Sequence, residues 1–123
     1  MRFRAEQHLR RATDIRTVRE RGQRLECRDF TVWWKQREAV NVAVAAGPRV
    51  CVIASTAAVG GAVLRNRAKR RLREAFRQQQ AAVPGDCDLL LIARRGALDL
   101  PMPELQSRFA AACQRIATSK RPA

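Results

Sequence analysis

The segment from Arg65 to Arg77 constrains the fold of this chain more strongly than any other part of the sequence. Seven of its thirteen residues are Lys or Arg, and Glu74 is the only acidic residue among them. On a helix of about 100° per residue, the apolar side chains of this region gather in one narrow stripe, formed by Leu64, Ala68, Leu72, Ala75 and Phe76. The pattern therefore predicts a helix over about 62–80 that packs on a core through one side and exposes a cationic ridge on the other.

The cationic side of this basic helix has the chemistry of a polyanion-binding surface. Guanidinium groups match phosphate oxygens with paired hydrogen bonds and stack on bases. The whole chain carries 25 Lys and Arg against 11 Asp and Glu, a formal net charge of +14. Nine of the basic residues lie within residues 1–28 and seven within 65–77. This spread favours an extended nucleic-acid-binding surface over a single basic tail.

The rest of the sequence predicts one small α+β domain. With 123 residues and a hydrophobic content of 46%, the chain has enough apolar surface for one core and too little for two. The predicted elements are a helix at 13–22, strands at 28–35 and 49–55, the basic helix, a strand at 89–93 and a helix from 103. Residues 41–46 could form a further strand, although their alanine-rich composition favours it less. We expect a basic arm at 1–12 and a flexible tail at 118–123. This order predicts a two-layer sandwich with a small mixed sheet, in which a right-handed crossover is expected on general grounds.

The strand at 28–35 shows the clearest alternation of apolar and polar residues. From Phe30 to Trp34, every second residue falls on one face, which we assign to the core. Thr31, Trp33 and Lys35 fall on the other face. We therefore expect the Trp33 ring outside the core and the Trp34 ring inside it.

No arrangement typical of catalysis or of metal binding stands out. The only histidine, His8, lies in the basic arm, and the cysteines are widely spaced without a C-x-x-C pair, at Cys27, Cys51, Cys87 and Cys113. Zinc and redox sites need close pairs, so we interpret the cysteines as reduced, partly buried residues. Asp86 and Asp88 follow a Pro-Gly turn and suit either a metal site or hydrogen bonds to their own backbone. The sequence predicts no catalytic residue, no metal ligand and no cofactor bound by the protein alone.

The sequence also predicts no contact with a membrane. It contains no run of eighteen apolar residues, and Met1-Arg2-Phe3-Arg4 is not followed by an apolar stretch. The basic helix could lie on anionic lipid, but its apolar side is mainly alanine and leucine. We therefore expect a cytoplasmic protein.

The basic helix also resembles a known motif. Arg65-Asn66-Arg67-x-Lys69-Arg70-x-x-Arg73-Glu74-x-Phe76, after a Gly-Gly turn and an apolar pair, is similar to the signature helix of the protein subunit of bacterial ribonuclease P. Thr13-Asp14-Ile15, Glu20-Arg21-Gly22 and the strand at Phe30 to Trp34 follow the order of that family, as do Pro84-Gly85 and Leu89 to Arg94. The resemblance implies a left-handed crossover, which we adopt here. It also implies an RNA partner that cleaves the 5′ leader from precursor tRNA with magnesium held largely by RNA.

The resemblance implies two sets of binding residues. The residues expected to face the catalytic RNA are Arg65, Asn66, Arg67, Lys69, Arg70 and Arg73. The residues expected to line a cleft for the single-stranded leader are Ile15, Arg19, Thr31, Trp33 and Lys35. Ile15 and Arg19 stand at positions that are often aromatic in the family, and Ser55-Thr56-Ala57 replaces a Ser-Lys-Lys loop.

The expected partners are the catalytic RNA and precursor tRNA, with no obligate protein partner. A stand-alone or ribosome-associated RNA-binding protein of related fold is the alternative. An independent protein nuclease is a third hypothesis, which requires catalytic residues that the sequence does not show.

Overall fold

The computed structural model describes residues 12–36, 47–83 and 87–119. In chain order the elements are α1 (Ala12–Arg21), β1 (Gln23–Glu26), β2 (Phe30–Gln36), β3 (Arg49–Ile53), α2 (Ala62–Gln79), β4 (Cys87–Ala93), α3 (Gly96–Asp99) and α4 (Met102–Ser119). A 3-10 turn, Gln80–Ala82, follows α2 directly. α1 begins one residue inside the predicted basic arm, and α4 extends two residues into the predicted tail. The rest of the arm, the possible strand at 41–46 and most of the tail lie outside the described residues.

The four described strands form one mixed sheet in the order β1-β2-β4-β3. β2 pairs antiparallel with both β1 and β4, whereas β3 and β4 are parallel neighbours. Because α2 connects β3 to β4, the two strands that flank the basic helix are parallel, as predicted. The mixed sheet and the α+β class are confirmed. The hand of the β3–α2–β4 crossover stays a prediction.

One face of the sheet packs against α2 and α4. Phe30 and Trp34 belong to this core, with exposed fractions of 0% and 6%, so the predicted alternation of β2 is confirmed. α2 contributes the stripe expected from the sequence, since Ala68, Leu72, Ala75 and Phe76 are buried. The Phe109 ring of α4 joins the two layers, with its centroid 6.3 Å from that of Phe30 and 6.2 Å from that of Phe76. Tilted ring pairs at this spacing are favourable beyond the apolar area that they bury.

Helix α1 packs on the opposite face of the sheet. Its one fully buried residue, Val18, contacts Leu90, and partly buried apolar side chains surround this pair, namely Ile15, Trp33, Cys51, Ile53 and Ile92. The two-layer prediction therefore describes the sheet with α2 and α4, and α1 adds a partial third layer. Because α1 has only ten residues, it covers part of this face and leaves a groove beside it.

α1 ends at Gly22, as predicted, because the backbones of α1 and β2 both lie close to this residue. Its N–H donates to the Val18 carbonyl at 2.9 Å. A Cβ at this position would lie 2.3 Å from the Val18 oxygen and 2.5 Å from the Trp34 oxygen. Only a residue without a side chain allows the chain to pass from α1 into β1 this close to β2.

Two short elements, β1 and α3, have no counterpart in the sequence prediction. β1 is polar and mostly exposed, so it lacks the alternation that identifies a strand. α3 has four residues and is held by Asp29, whose backbone carbonyl accepts from the Arg94 N–H at 3.0 Å. A Cβ at Gly96 would lie 2.1 Å from the Asp29 carboxylate. Arg108 on α4 places Nη1 3.0 Å from the same carboxylate, so long-range contacts fix this segment.

Candidate nucleic-acid interface

Helix α2 begins at a glycine pair that sets its direction. Gly60 has a φ of +127°, which favours glycine, and a Cβ there would lie 2.8 Å from Leu64 Cδ1. The Gly61 carbonyl accepts from the Arg65 N–H at 2.9 Å and opens the helix. The apolar stripe of α2 is therefore fixed on the core, and its cationic side faces away from it.

The six residues predicted to face the catalytic RNA, called the ridge from here on, all lie on α2. Asn66, Arg67 and Arg70 are exposed, and Arg65, Lys69 and Arg73 are half-buried. Within the described part of the chain, none of the five cations among them forms an ion pair with a carboxylate. The Nε of Arg65 is buried and has no acceptor among the described residues. The ridge therefore offers donors that no described carboxylate accepts.

Two other arginines of α2 are engaged inside the protein. Arg71 donates from Nε to the Ala97 carbonyl at 2.7 Å and from Nη2 to the Leu100 carbonyl, so it ties α2 to the segment around α3. Arg77 donates from Nε to Glu74 Oε1 at 2.8 Å. Hydrogen bonds from Arg77, and then from Gln78, lower the pKa of Glu74 to about 2. α2 thus carries the ridge cations and, beside them, two arginines that bind groups of the protein itself.

Two cations of α2 lie near the edge of the sheet. Cys51 lies on the edge strand β3 and belongs to the apolar cluster under α1. Burial raises the pKa of the Cys51 thiol, and the nearby charges of Arg73 and Lys69 act against that rise. Two cations of α2, Lys69 and Arg73, therefore lie near the edge strand β3.

The groove beside α1 has a volume of about 530 Å³. Its lining comes from α1, β1, β2, the turn after β3 and the end of β4, through Arg19, Arg24, Thr31, Trp33, Ala58, Ile92, Ala93 and Arg94. The turn is closed by Ser55, whose Oγ accepts from the Ala58 N–H at 3.1 Å. Three arginines and a tryptophan in one groove are a combination that suits phosphates and a base.

Trp33 is half-buried on the face opposite the main core, as predicted. Its ring is not bare, because the guanidinium carbons of Arg19 and Arg24 lie 5.6 and 5.8 Å from the ring centroid. Both distances are within the range of cation–π attraction. The ring therefore orients two cations as well as offering an aromatic surface.

Three of the five residues predicted for the cleft line this groove, namely Arg19, Thr31 and Trp33. Thr31 is only 3% exposed, so it contributes through its hydroxyl. Ile15 packs against the Val18–Leu90 cluster under α1 instead. Lys35 lies at the far end of β2 and donates to the Gln36 carbonyl at 3.3 Å.

The sequence prediction missed Arg24 and Arg94 as groove residues. Arg24 lies in the unpredicted strand β1, and Arg94 directly follows β4. Arg94 donates to Thr31 Oγ1 from Nε and Nη2, both at 3.3 Å. Both arginines also bind Glu26, with Arg24 Nη2 at 2.8 Å from Glu26 Oε1 and Arg94 Nη2 on the same oxygen. The basic pair Arg94-Arg95, at the end of an apolar strand, was the feature of the sequence that could have identified Arg94 as a binding residue.

Asp88 has a structural role that neither sequence interpretation foresaw. It lies inside β4 and receives Arg49 Nε on Oδ1 and Nη2 on Oδ2, each at 2.8 Å. This hydrogen-bonded contact is the main reason that the pKa of Arg49 is raised. Arg49 Nη2 also lies 3.9 Å from Asp14 Oδ2 of α1. The pairing with Arg49 is therefore the role that the structure shows for Asp88, and Asp86 lies outside the described residues.

The four cysteines are free thiols. Burial raises the pKa of Cys113 to about 12 and raises those of Cys27 and Cys51 as well. In residues 12–36, 47–83 and 87–119, no three His, Cys, Asp or Glu side chains are grouped as metal ligands. Over the same ranges, no helix is both long enough and apolar enough to cross a bilayer.

The fold and these two surfaces define a small basic α+β protein with a cationic helix and an arginine-lined groove. The sequence matches the model of the family described as Ribonuclease P over residues 3–117. The chain belongs to the ribonuclease P protein family.

Individual relatives are similar over different lengths. The ribonuclease P protein component of Stutzerimonas stutzeri is 41% identical over 76 residues, 62% of this chain and 56% of that protein. That of Symbiobacterium thermophilum is 52% identical over 50 residues, 41% and 44% of the two chains. The match thus spans about half the length of these relatives. The component of Shouchella clausii is 30% identical over 105 residues, 83% of this chain and 79% of that protein.

Solved structures share the fold. The RNase P protein of Staphylococcus aureus superposes with a TM-score of 0.70 at 24% identity, covering 90% of this chain and 94% of that one. The RNase P protein of Thermotoga maritima gives a TM-score of 0.73 at 20% identity, covering 88% and 96%. The arrangement of α1, the sheet and α2 is therefore that of known RNase P proteins.

Proposed function

We propose that this chain is the protein subunit of ribonuclease P. In this role it binds the catalytic RNA and the 5′ leader of precursor tRNA and promotes endonucleolytic 5′ maturation. The observation that supports the proposal most directly is that this chain has both a cationic helix, α2, and a groove lined by three arginines and Trp33. Family membership supplies the reaction, and the cytoplasmic location expected from the sequence stays part of the proposal.

The ridge is assigned to the catalytic RNA. Its exposed members, Asn66, Arg67 and Arg70, lie on a helix whose position is fixed by the buried stripe and by Arg71. A rigid row of donors fits a folded RNA backbone, because no side-chain rearrangement of the protein core is needed to bind it.

The groove is assigned to the single-stranded leader. Arg19, Arg24 and Arg94 provide positive charge along its walls, and Trp33 provides the aromatic surface on which a base can stack. Binding of this kind tolerates different sequences, because every base has a π face and every nucleotide a phosphate. The cations near Trp33 would then contact the phosphates that flank the stacked base.

The proposal leaves the activation of water to the RNA and to magnesium bound with it. Among the described carboxylates, Asp88 is paired with Arg49, and Asp29 lies beside Arg108. Glu74 is paired with Arg77. The assigned role of the protein is therefore to bind and orient two RNAs, and its electrostatic potential reduces their mutual repulsion.

The test is reconstitution with the RNase P RNA of the same organism and cleavage of precursor tRNA at low magnesium concentration. We expect cleavage by the complex at a magnesium concentration where the RNA alone is slow, and no cleavage by the protein alone. Preferential binding of leader-bearing precursor over mature tRNA tests the groove assignment. Co-purification with ribosomes, without any stimulation of cleavage, would favour the alternative of a ribosome-associated RNA-binding protein.

A further inference from the structure

Glu26 is the point at which two groove arginines meet. Arg24 belongs to β1 and Arg94 follows β4, and β2 lies between these strands in the sheet. The two Nη2 groups nevertheless bind the same oxygen, Glu26 Oε1. Two donors on one acceptor lie within about 6 Å of each other, since each hydrogen bond spans about 3 Å.

Each of these arginines is held at a second point in the groove. The guanidinium carbon of Arg24 lies 5.8 Å from the Trp33 ring centroid. Arg94 donates to the hydroxyl of the buried Thr31. A guanidinium has five N–H donors, so both side chains keep donors for a further acceptor. The side chains remain about half exposed, at 49% for Arg24 and 47% for Arg94.

We propose that Glu26 is a positioning residue that holds Arg24 and Arg94 together as a binding site for one phosphodiester of single-stranded RNA. The spacing of the two guanidinium groups allows both to reach the oxygens of a single phosphate, and Trp33 beside them takes the adjacent base. This inference rests on the proposed function of the groove and adds the residue that organises it.

The direction in which RNA affinity changes when Glu26 is replaced distinguishes a positioning role from a purely electrostatic one. Glu26 is itself negative and repels a phosphate, so electrostatics alone predicts that its removal strengthens RNA binding. Positioning predicts the opposite result, because without Glu26 the two arginines lose the contact that keeps them together. Exposed ion pairs contribute little to folding, so a variant of Glu26 is expected to fold normally.

The experiment compares Glu26→Gln with Glu104→Gln in the reconstituted holoenzyme. Glu104 lies in the first turn of α4, on the other side of the sheet, so this control removes the same charge away from the groove. Affinities for leader-bearing precursor and for mature tRNA are measured over a range of salt concentrations. We expect Glu26→Gln to weaken precursor binding about three- to ten-fold, to leave mature tRNA binding unweakened and to reduce the salt slope by about one phosphate contact. Glu104→Gln should weaken neither, and Glu26→Asp should restore part of the loss.

Precursor binding by Glu26→Gln that equals or exceeds that of the wild-type protein overturns the proposal. If Arg24→Ala and Arg94→Ala weaken precursor binding while Glu26→Gln does not, the positioning role alone is wrong and the groove assignment stands. If the wild-type holoenzyme does not distinguish precursor from mature tRNA, both the groove assignment and the role of Glu26 are wrong. In the Arg24→Ala/Arg94→Ala background, Glu26→Gln should have no further effect, and a further loss would contradict positioning.

Discussion

Neutralising the ridge should change how RNA binding depends on salt. In the variant with Arg67, Lys69, Arg70 and Arg73 all replaced by Ala, helicity should survive, because Ala is the best helix former and all four side chains lie outside the buried stripe of α2. Each phosphate contact contributes about 0.7–0.9 to the slope of log K against log salt. If each of the four cations neutralises one phosphate, the slope of the variant is therefore smaller by about three to four units. Between about 50 and 200 mM salt, wild-type affinity for the catalytic RNA should then fall about 100-fold more than that of the variant.

The same helix supplies a control for this measurement. Glu74→Gln/Arg77→Gln removes one charge of each sign from an ion pair that the protein already makes internally. Its salt slope should match that of the wild-type protein. Filter binding or fluorescence anisotropy over a salt series, with circular dichroism to verify helicity, makes the comparison. An unchanged slope in the four-residue variant would show that the catalytic RNA binds another surface.

Four further predictions concern the groove, the core and two ion pairs. Trp33→Ala should weaken binding of leader-bearing precursor about ten-fold, since stacking of a base on an aromatic is worth about 1–3 kcal/mol, and mature tRNA should bind as before; equal losses for both RNAs would contradict the groove assignment. Trp34→Ala should instead destabilise the fold by about 3–5 kcal/mol in urea unfolding, because the ring is 94% buried in the core. Asp88→Asn should cost about 3 kcal/mol of stability by leaving Arg49 without its carboxylate, yet the cleavage rate of the folded holoenzyme should hold; a rate loss without unfolding would argue for a catalytic carboxylate. The pKa of Glu74 is lowered to about 2, so the ion pair with Arg77 stabilises the fold above about pH 4.5 and this stabilisation is lost as the pH falls toward 2. In Glu74→Gln, the free energy of unfolding should therefore depend less on pH in that window. The difference should be less than about 1 kcal/mol, because the pair is partly exposed.

The elements that the sequence predicts well are those with a strong local period. The stripe of α2 repeats at helical spacing and is buried where expected. The alternation of β2 assigns Phe30, Trp33 and Trp34 to the correct faces. In both elements, one side of the helix or strand is buried, and apolar residues therefore recur at the spacing of that side in the sequence.

The elements that the sequence does not predict are determined by distant residues. β1 is a polar strand that exists because β2 pairs with it, and α3 is fixed by Asp29 from the turn before β2. The groove has the same origin, since Arg24 and Arg94 come together only through the pairing of β1, β2 and β4. A local sequence pattern cannot predict that residues of different strands lie side by side. The cleft residues taken from the family therefore included Ile15 and Lys35 but not these two arginines.

The single buried anchor of α1 has a consequence for the energy of local opening. α2 is held by four buried side chains, whereas α1 buries only Val18 and ends at Gly22. Segments with few buried contacts open at a free energy well below that of global unfolding. The amide hydrogens of α1 should therefore exchange with solvent sooner than those of α2. One wall of the groove can then shift while the main core and the ridge stay in place.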